Sequence, residues 1–559
     1  MAAIDPRAAT VSGAVAAGVA LGVGELVSGT AGTGPTLVSA VGTQFIDRFA
    51  ASLKDLAVAM FGTNDKTALI VGIVIVSLLL GALFGRISVR HRWVGVAGFV
   101  AFGLVGLLSF LSDPQGTTST GVIASILAVL AGSLALVALL RVAPRTRVPI
   151  AAGPGTGLDA GPVGRPGAGV PSTTSRRTFV MTAGVLAAGA AGVAVLGRRL
   201  GTSDVVDTAR SSTVLPRARA LNTVPSTVVA PDTTGAPPGT TAPAPGTTGA
   251  PMTEGTPPTD VMLTIAGLSP YVTPTANFYR IDTALSMPQI DVATWQLTFT
   301  GMVDRPFSIS YDELLSLDAV EDVVTLQCVS NEVGGSLVGN AVWQGVPLSV
   351  LLDRAGVQQG ATQIVGRSVD GFTAGFPTEV ALDGRTVLVV YGMNGEPLRA
   401  RHGFPARLVV AGLYGYVSAT KWLSEIELAT WEGFDGYWVP RGWSKEGPIK
   451  PQSRIDVPRS GSDLIAGTQP IAGVAWAPIE GIARVEVQVD AGEWREATLG
   501  DASSGNTWVQ WWLDWDAAPG EHQIQVRATT AGGATQTEER RPPAPDGATG
   551  WHRRTVSVA

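Results

Sequence analysis

The chain has 559 residues, a formal net charge of −6 and no basic block, which argues against a nucleic-acid partner. Charged residues make up 15% and apolar ones 45%; the roughly 25% charge of soluble globular chains is not reached, so membrane segments are expected. A single cysteine, Cys328, excludes an intrachain disulfide, a four-cysteine zinc site and a self-contained iron–sulfur cluster.

Four apolar runs, approximately Ala8–Val27, Thr67–Gly85, Trp93–Leu111 and Gly121–Leu140, have the length of about 20 residues that a bilayer span needs. A fifth, Phe179–Leu196, is shorter and rich in Ala and Gly. These predict an all-α transmembrane bundle over residues 1–200. Between the first two runs, Leu37–Phe61 places Val38, Val41, Phe45, Phe49 and Leu56 at helical spacing, with Asp47, Arg48, Lys54 and Asp55 among them. That pattern predicts an amphipathic helix lying on the membrane surface. Arg86, Arg90 and Arg92 follow the second run, and Arg141, Arg145, Arg147, Arg165, Arg176 and Arg177 follow the fourth. The loop between runs three and four has no Lys or Arg, so the basic loops and the N-terminus are expected in the cytoplasm. Everything after the fifth run is then outside. Arg198 and Arg199 count weakly the other way.

The segment SRRTFVMTAG (Ser175–Gly184) has two readings: an ordinary positive flank of a span, or a twin-arginine export signal. Phe179 at its offset from the arginine pair and the weak Ala/Gly hydrophobicity favour the signal, which exports proteins already folded around a cofactor. Residues 201–260 are Pro, Thr, Gly and Ala with few large apolar side chains and predict a flexible tether. "ARA" at Ala218–Ala220 resembles a cleavage site but lies far beyond the apolar run, so an uncleaved anchor is expected.

Residues 261–454 read as an α+β domain. Ser310 and Glu313 form a capping box opening a short helix, VPLSVLLDRAGV reads as a helix closed by Gly356, and RTVLVVYGM and ARLVVAGLYGY read as strands. VVTLQC is a β-rich apolar run that puts Cys328 at a strand's C-terminal end, before VSNEVGG. Three readings of Cys328 stay open on residue type: a small buried hydrophobe, a nucleophile with His402 as base, and a metal-bound thiolate.

NFYRID (Asn277–Asp282), LQCVSN (Leu326–Asn331), WQGVPLSVLL (Trp343–Leu352), YGMNGEPLRARHGFPARLVV (Tyr391–Val410) and YGYVSATKWL (Tyr414–Leu423) occur in that order. In this order they resemble the sulfite oxidase family of molybdopterin enzymes, from about Val261 to the C-terminus. The resemblance implies a Mo-molybdopterin cofactor with Cys328 as the metal's thiolate ligand and catalytic residue. It implies Arg407 at the phosphate region, His402 against the pterin, and further contacts from Tyr279, Arg280, Ser418, Ala419 and Lys421, with Asp370 and Thr373 bordering the pterin. Two positions depart from the family pattern. Glu332 stands just after the CxxN element, where sulfite-oxidising members carry arginine, and would repel an anion. Trp443 occupies the active-site tyrosine position, and Arg441, two residues earlier, offers a replacement positive charge.

Residues 455–559 contain alternating or aromatic-rich strands joined by Gly, Pro and Asp turns, which predict an immunoglobulin-like β-sandwich. This resembles the family's dimerisation domain and implies a homodimer; Trp476, Trp494, Trp508 and Trp515 are expected to be core and His552 to be structural. The apolar runs contain no histidine for a haem, and no CxxCH motif exists. Electrons are therefore expected to pass through a separate cytochrome or quinone-linked partner, with membrane lipid around the anchor. Glu25 is the one acidic residue in a span and marks that helix's end or lines a polar site. The leading expectation is a membrane-anchored, extracytoplasmic molybdopterin oxidoreductase moving oxygen to or from a small oxyanion, sulfoxide or N-oxide. The alternatives are a methionine-sulfoxide-type reductase and a non-catalytic binding module with a degenerate molybdenum site.

Overall fold

The computed structural model describes residues 2–31, 34–48, 65–147, 176–201, 205–222 and 265–559. Two compact units emerge: Met1–Asp204 with Ala284–Gln289, and Val205–Thr283 with Ile290–Ala559.

The first unit contains five helices long and apolar enough to cross a membrane: Pro6–Thr30, Lys66–Ile87, Trp93–Leu111, Thr118–Val142 and Arg176–Leu200. The first of these is central. Small side chains let its backbone touch its neighbours, since a Cβ on Gly13 would lie 2.0 Å from the Gly81 carbonyl oxygen and one on Gly29 1.9 Å from that of Gly197. Ala8, Leu139, Ala143, Phe179 and Ala183 form one packed cluster, and Ala16, Ala17, Phe99, Ala135 and Leu136 another. Glu25, 4% exposed, accepts a 3.1 Å hydrogen bond from Arg198 Nε and ties the first helix to the last. Residues 2–4 pair antiparallel with 145–147, so the start of the first helix and the end of the fourth lie side by side. Of the segment expected to be an amphipathic helix, 37–48 is helical and the remainder lies outside the described residues.

In the second unit, part of the segment expected to be a tether is folded onto its neighbours. Val205–Ser212 is helical and Ala218–Ala220 pairs parallel with the strand Ala319–Gln327. Arg210 Nε donates to the Leu398 carbonyl at 2.6 Å and Gln344 Nε2 to that of Pro216 at 2.6 Å. Docking here runs through backbone groups, for which composition carries no signal. Of residues 201–260, 202–204 and 223–260 lie outside the described residues.

Two mixed sheets carry the α+β part. One runs Glu396–Pro397, Val387–Met393, Val338–Pro347, Ala319–Gln327, Ala218–Ala220, with Arg407–Val410 paired to Val387–Met393; the other runs Phe307–Ser310, Gln296–Gly301, Leu423–Ala429, Gln363–Ser368, Thr373–Pro377. Ser310 Oγ accepts from Glu313 N at 3.2 Å and caps the helix Tyr311–Ser316. Gly356, at φ 68°, closes Leu348–Ala355 in the left-handed region that favours glycine. Residues from 452 onward build two further sheets, whose facing sides share a core of Ile455, Ile471, Val485, Val487, Trp511, Ile524 and Val526. Trp515 belongs to this core, but Trp476 and Trp508 do not. Trp476 Nε1 donates to Gln327 Oε1 at 2.7 Å and Trp508 Nε1 to the Tyr271 carbonyl at 2.8 Å, so both lie at the seam with the α+β part. Trp494 is half-buried beneath the Arg527 guanidinium.

Candidate active site

Ala319–Gln327 is buried along nearly its whole length, as a central strand of Val, Leu and Thr should be. It delivers Cys328 at its end, 8% exposed, with its amide donating to the Leu337 carbonyl at 2.9 Å. Asn331 Oδ1 accepts from Leu337 N at 2.8 Å and closes the same loop.

Phe278 is the hub beside it. Its ring stacks on Tyr279 at 5.1 Å and meets Trp343 and His402 edge-on at 5.5 and 6.0 Å. Burial and the neighbouring Cys328 push the Tyr279 hydroxyl well above its ordinary pKa, against the pull of Arg407. Arg407 is 6% exposed; it donates to the carbonyls of His402 and Leu408 and lies over the Trp343 ring at 5.1 Å. Among the described residues it pairs with no carboxylate, and burial lowers its pKa to about 10. His402 is pushed down to about 4 by burial and so is a neutral ring, its Nε2 3.0 Å from the Thr275 carbonyl.

Lys421 stands on the other side of Gly403. Its Nζ is 2.7 Å from Asp282 Oδ2, which also accepts from Arg280 Nε at 2.7 Å. Burial brings Lys421 to about 8 despite Asp282. Asp370 is raised, chiefly by burial and additionally by Asp282, while Ser368, Phe372 and Lys421 pull it down. Ser418 Oγ is turned back to the Tyr414 carbonyl at 3.0 Å, and the Ala419 amide to that of Gly415.

Thr373 connects this cluster to the loop holding Trp443, because its carbonyl accepts from Tyr437 N at 3.0 Å. Arg441 lies over the Tyr437 ring at 3.7 Å and donates to the Tyr437 carbonyl at 2.6 Å. Trp443 sits between Tyr416 at 5.9 Å and Trp438 at 6.4 Å. The structure thus gathers Cys328, Tyr279, Arg407 and His402 in one cluster and Arg280, Lys421 and Asp370 around Asp282. Arg441 and Trp443 belong to an aromatic loop joined to them through Thr373. Sequence reasoning passed over Asp282 and Phe278, although both lie inside NFYRID.

A family profile described as "Oxidoreductase molybdopterin binding domain" matches residues 284–438. The uncharacterized oxidoreductase YuiH of Bacillus subtilis is 35% identical over 157 residues, 28% of this chain and 76% of that protein. The chain belongs to this family of molybdopterin-binding oxidoreductases. Mitochondrial sulfite oxidase of Homo sapiens is 28% identical over 303 residues, 46% of this chain and 55% of that protein, so the chain spans about half of that relative. Among solved structures, the sulfane dehydrogenase SoxCD of Paracoccus pantotrophus aligns over 53% of this chain and 88% of that chain, at 22% identity and a TM-score of 0.44. This chain is an oxidoreductase of the sulfite oxidase type, and its cofactor is Mo-molybdopterin.

The donor set fits that group. Among the described residues Arg407 is a buried cation without a counter-ion, and Arg401 Nε and Asn331 Nδ2 are buried donors with no acceptor. Orphaned donors of this kind are costly unless an acceptor-rich ligand meets them. Among the described residues no group of three or more His, Cys, Asp or Glu side chains could hold a metal ion. A metal held through one thiolate and a cofactor's own sulfurs needs no such group.

Proposed function

We propose that this chain is a membrane-anchored, extracytoplasmic oxidoreductase catalysing two-electron oxygen-atom transfer on a small oxyanion or sulfoxide-type substrate. The observation that carries it is Cys328 at a strand end beside Tyr279 and the uncompensated Arg407. Cys328 presents the thiolate that ligates the metal. Arg407 and Lys421 hold the cofactor's phosphate, His402 offers a neutral polar edge to the pterin, and Tyr279, Arg280, Asp370, Thr373, Ser418 and Ala419 line its bed. When bound, molybdopterin supplies a metal that exchanges two electrons and an oxygen atom with substrate. The loop with Arg441 and Trp443 covers the approach.

The anchor comprises the five apolar helices, the last of which, Arg176–Gly201, opens on the twin-arginine-like pair Arg176 and Arg177. The pairing of residues 2–4 with 145–147 supports placing the N-terminus and the basic loop after residue 142 on one side, the cytoplasmic one by charge. The domains are the membrane part, a tether, the molybdopterin part from about 261 to 454, and an immunoglobulin-like sandwich to 559, through which two copies pair. Electrons pass to or from a separate cytochrome or quinone-linked protein.

A sulfoxide is favoured over sulfite by two observations: Glu332 is exposed directly after the Cys328–Asn331 turn, and the covering loop is aromatic. Metal and pterin analysis of the purified chain, followed by sulfite with an oxidant and sulfoxides with a reduced dye, tests the reading. Stoichiometric molybdenum with turnover of either class supports it. A chain produced in a host that makes molybdopterin yet purified free of molybdenum is instead a binding module.

A further inference from the structure

A second concave site of about 350 Å³ shares no lining residue with the cluster around Arg407. It lies where the loop after Cys328 meets the C-terminal sheets, and three arginines, Arg454, Arg459 and Arg554, line it against one acid, Asp456. That carboxylate is already engaged. Its Oδ1 accepts from Arg454 Nε at 2.7 Å and its Oδ2 from Ser269 N at 3.1 Å. Arg454, 8% exposed, is spent as well, with Nη1 on the Gly335 carbonyl and Nη2 on Ser269 Oγ, both at 2.9 Å.

The other two guanidinium groups are not so placed. Arg554 reaches Ser460 Oγ at 3.5 Å and the Ile455 carbonyl at 3.4 Å, both at the outer limit of a hydrogen bond, and its Nε is shielded from solvent with no acceptor among the described residues. The side chain of Arg459 is exposed and makes no hydrogen bond or ion pair among the described residues. Burial, with Arg454 and Arg459 adding to it, lowers the Arg554 pKa against the pull of Asp456. His552 adds no charge: burial brings it to about 4, and its Nδ1 accepts from Ile455 N.

We propose that this pocket binds a small oxyanion of the phosphate or sulfate type, gripped by Arg554 and Arg459 with the Ser460 hydroxyl and walled by Arg454. Planar guanidinium forks with unfilled donors match a tetrahedral dianion. The pocket is also coupled to the loop of Cys328: Arg454 holds the Gly335 carbonyl, and the Cys328 amide and Asn331 side chain hold Leu337 two residues on.

The test is a calorimetric titration of the full-length protein in detergent with inorganic phosphate and with sulfate, at ionic strength matched with sodium chloride. A saturable heat is expected. It should weaken by about ten-fold or more in Arg554→Gln and also in Arg459→Glu, whose exposed side chain leaves folding intact. A heat unchanged by Arg459→Glu, or equalled by chloride, overturns the proposal, as does no heat at all. Repeating the titration in phosphatidylglycerol nanodiscs separates two sources of the same chemistry. A free anion binds equally in both media, whereas a headgroup ligand competes and lowers the apparent affinity; either result keeps the pocket.

Discussion

Lys421 couples the site's electrostatics to a measurable stability. Its side chain is 10% exposed and its ammonium, 2.7 Å from Asp282, sits at a pKa of about 8, chiefly through burial. Below pH 8 the folded and unfolded chains both carry the proton, and the full penalty of burying the charge applies. Between about pH 8 and the ordinary 10.5, the folded chain has released a proton that the unfolded chain still holds, so this group's contribution to stability rises with pH. A displacement from 10.5 to about 8 amounts to ~3 kcal/mol at ~1.4 kcal/mol per pH unit. The comparison is wild type against Lys421→Met, both without cofactor, by urea unfolding from pH 7 to 10. Tryptophan fluorescence reports the second unit, because every tryptophan but Trp93 lies beyond residue 265. Stability of wild type relative to the variant should climb by ~2–3 kcal/mol across this range. In cofactor-loaded protein an anionic phosphate beside Lys421 should raise its pKa and flatten the climb. A flat difference in the cofactor-free pair refutes the reasoning.

Cys328→Ser should abolish turnover while the unfolding midpoint stays within ~1 kcal/mol of wild type, because the exchanged atom is buried but similar in size; wild-type turnover removes the ligand assignment. Arg407→Gln takes away the uncompensated cation and should cut molybdenum per chain by about ten-fold or more, read by mass spectrometry of the purified protein. Gly403→Ala should cost ~2 kcal/mol in urea unfolding. Gly403 has φ +107°, and its added methyl would lie 3.0 Å from Lys421 Cβ and 3.2 Å from Arg407 Cβ. Trp511→Ala, fully buried between the C-terminal sheets, should cost ~3–5 kcal/mol by the same assay.

Local rules carried much of the second unit. The run VVTLQ reads as a buried strand because its side chains are β-branched and apolar, and the strand ends at Gln327. Ser310 and Gly356 cap the helices that they were expected to cap, since capping depends on residues only a few positions apart. What depends on distant contact was not legible. Asp282 pairs with Lys421, 139 residues away, and no local pattern marks a carboxylate that will serve two cations. Residues 205–222 look like tether because their docking is made by backbone pairing and by Arg210 on two carbonyls. Trp476 and Trp508 are expected to be core, and they are buried, but only the folded chain shows that their indoles bond Gln327 and Tyr271 at the seam rather than filling the core between the C-terminal sheets.

The charges around the site carry a consequence for how the protein is made. Arg407, Lys421 and Arg280 converge where Asp282 serves two of them and Asp370 is itself raised by burial. A buried guanidinium without a counter-ion destabilises the empty fold, and an anionic cofactor reverses that sign by supplying acceptors to Arg407 and the orphaned Arg401 and Asn331 donors. Loading and folding of the second unit are thereby coupled: a ligand that binds only the folded state shifts the equilibrium toward it. A chain built this way gains from receiving its cofactor as it folds, and the proposed twin-arginine route, which exports folded proteins, fits that order of events.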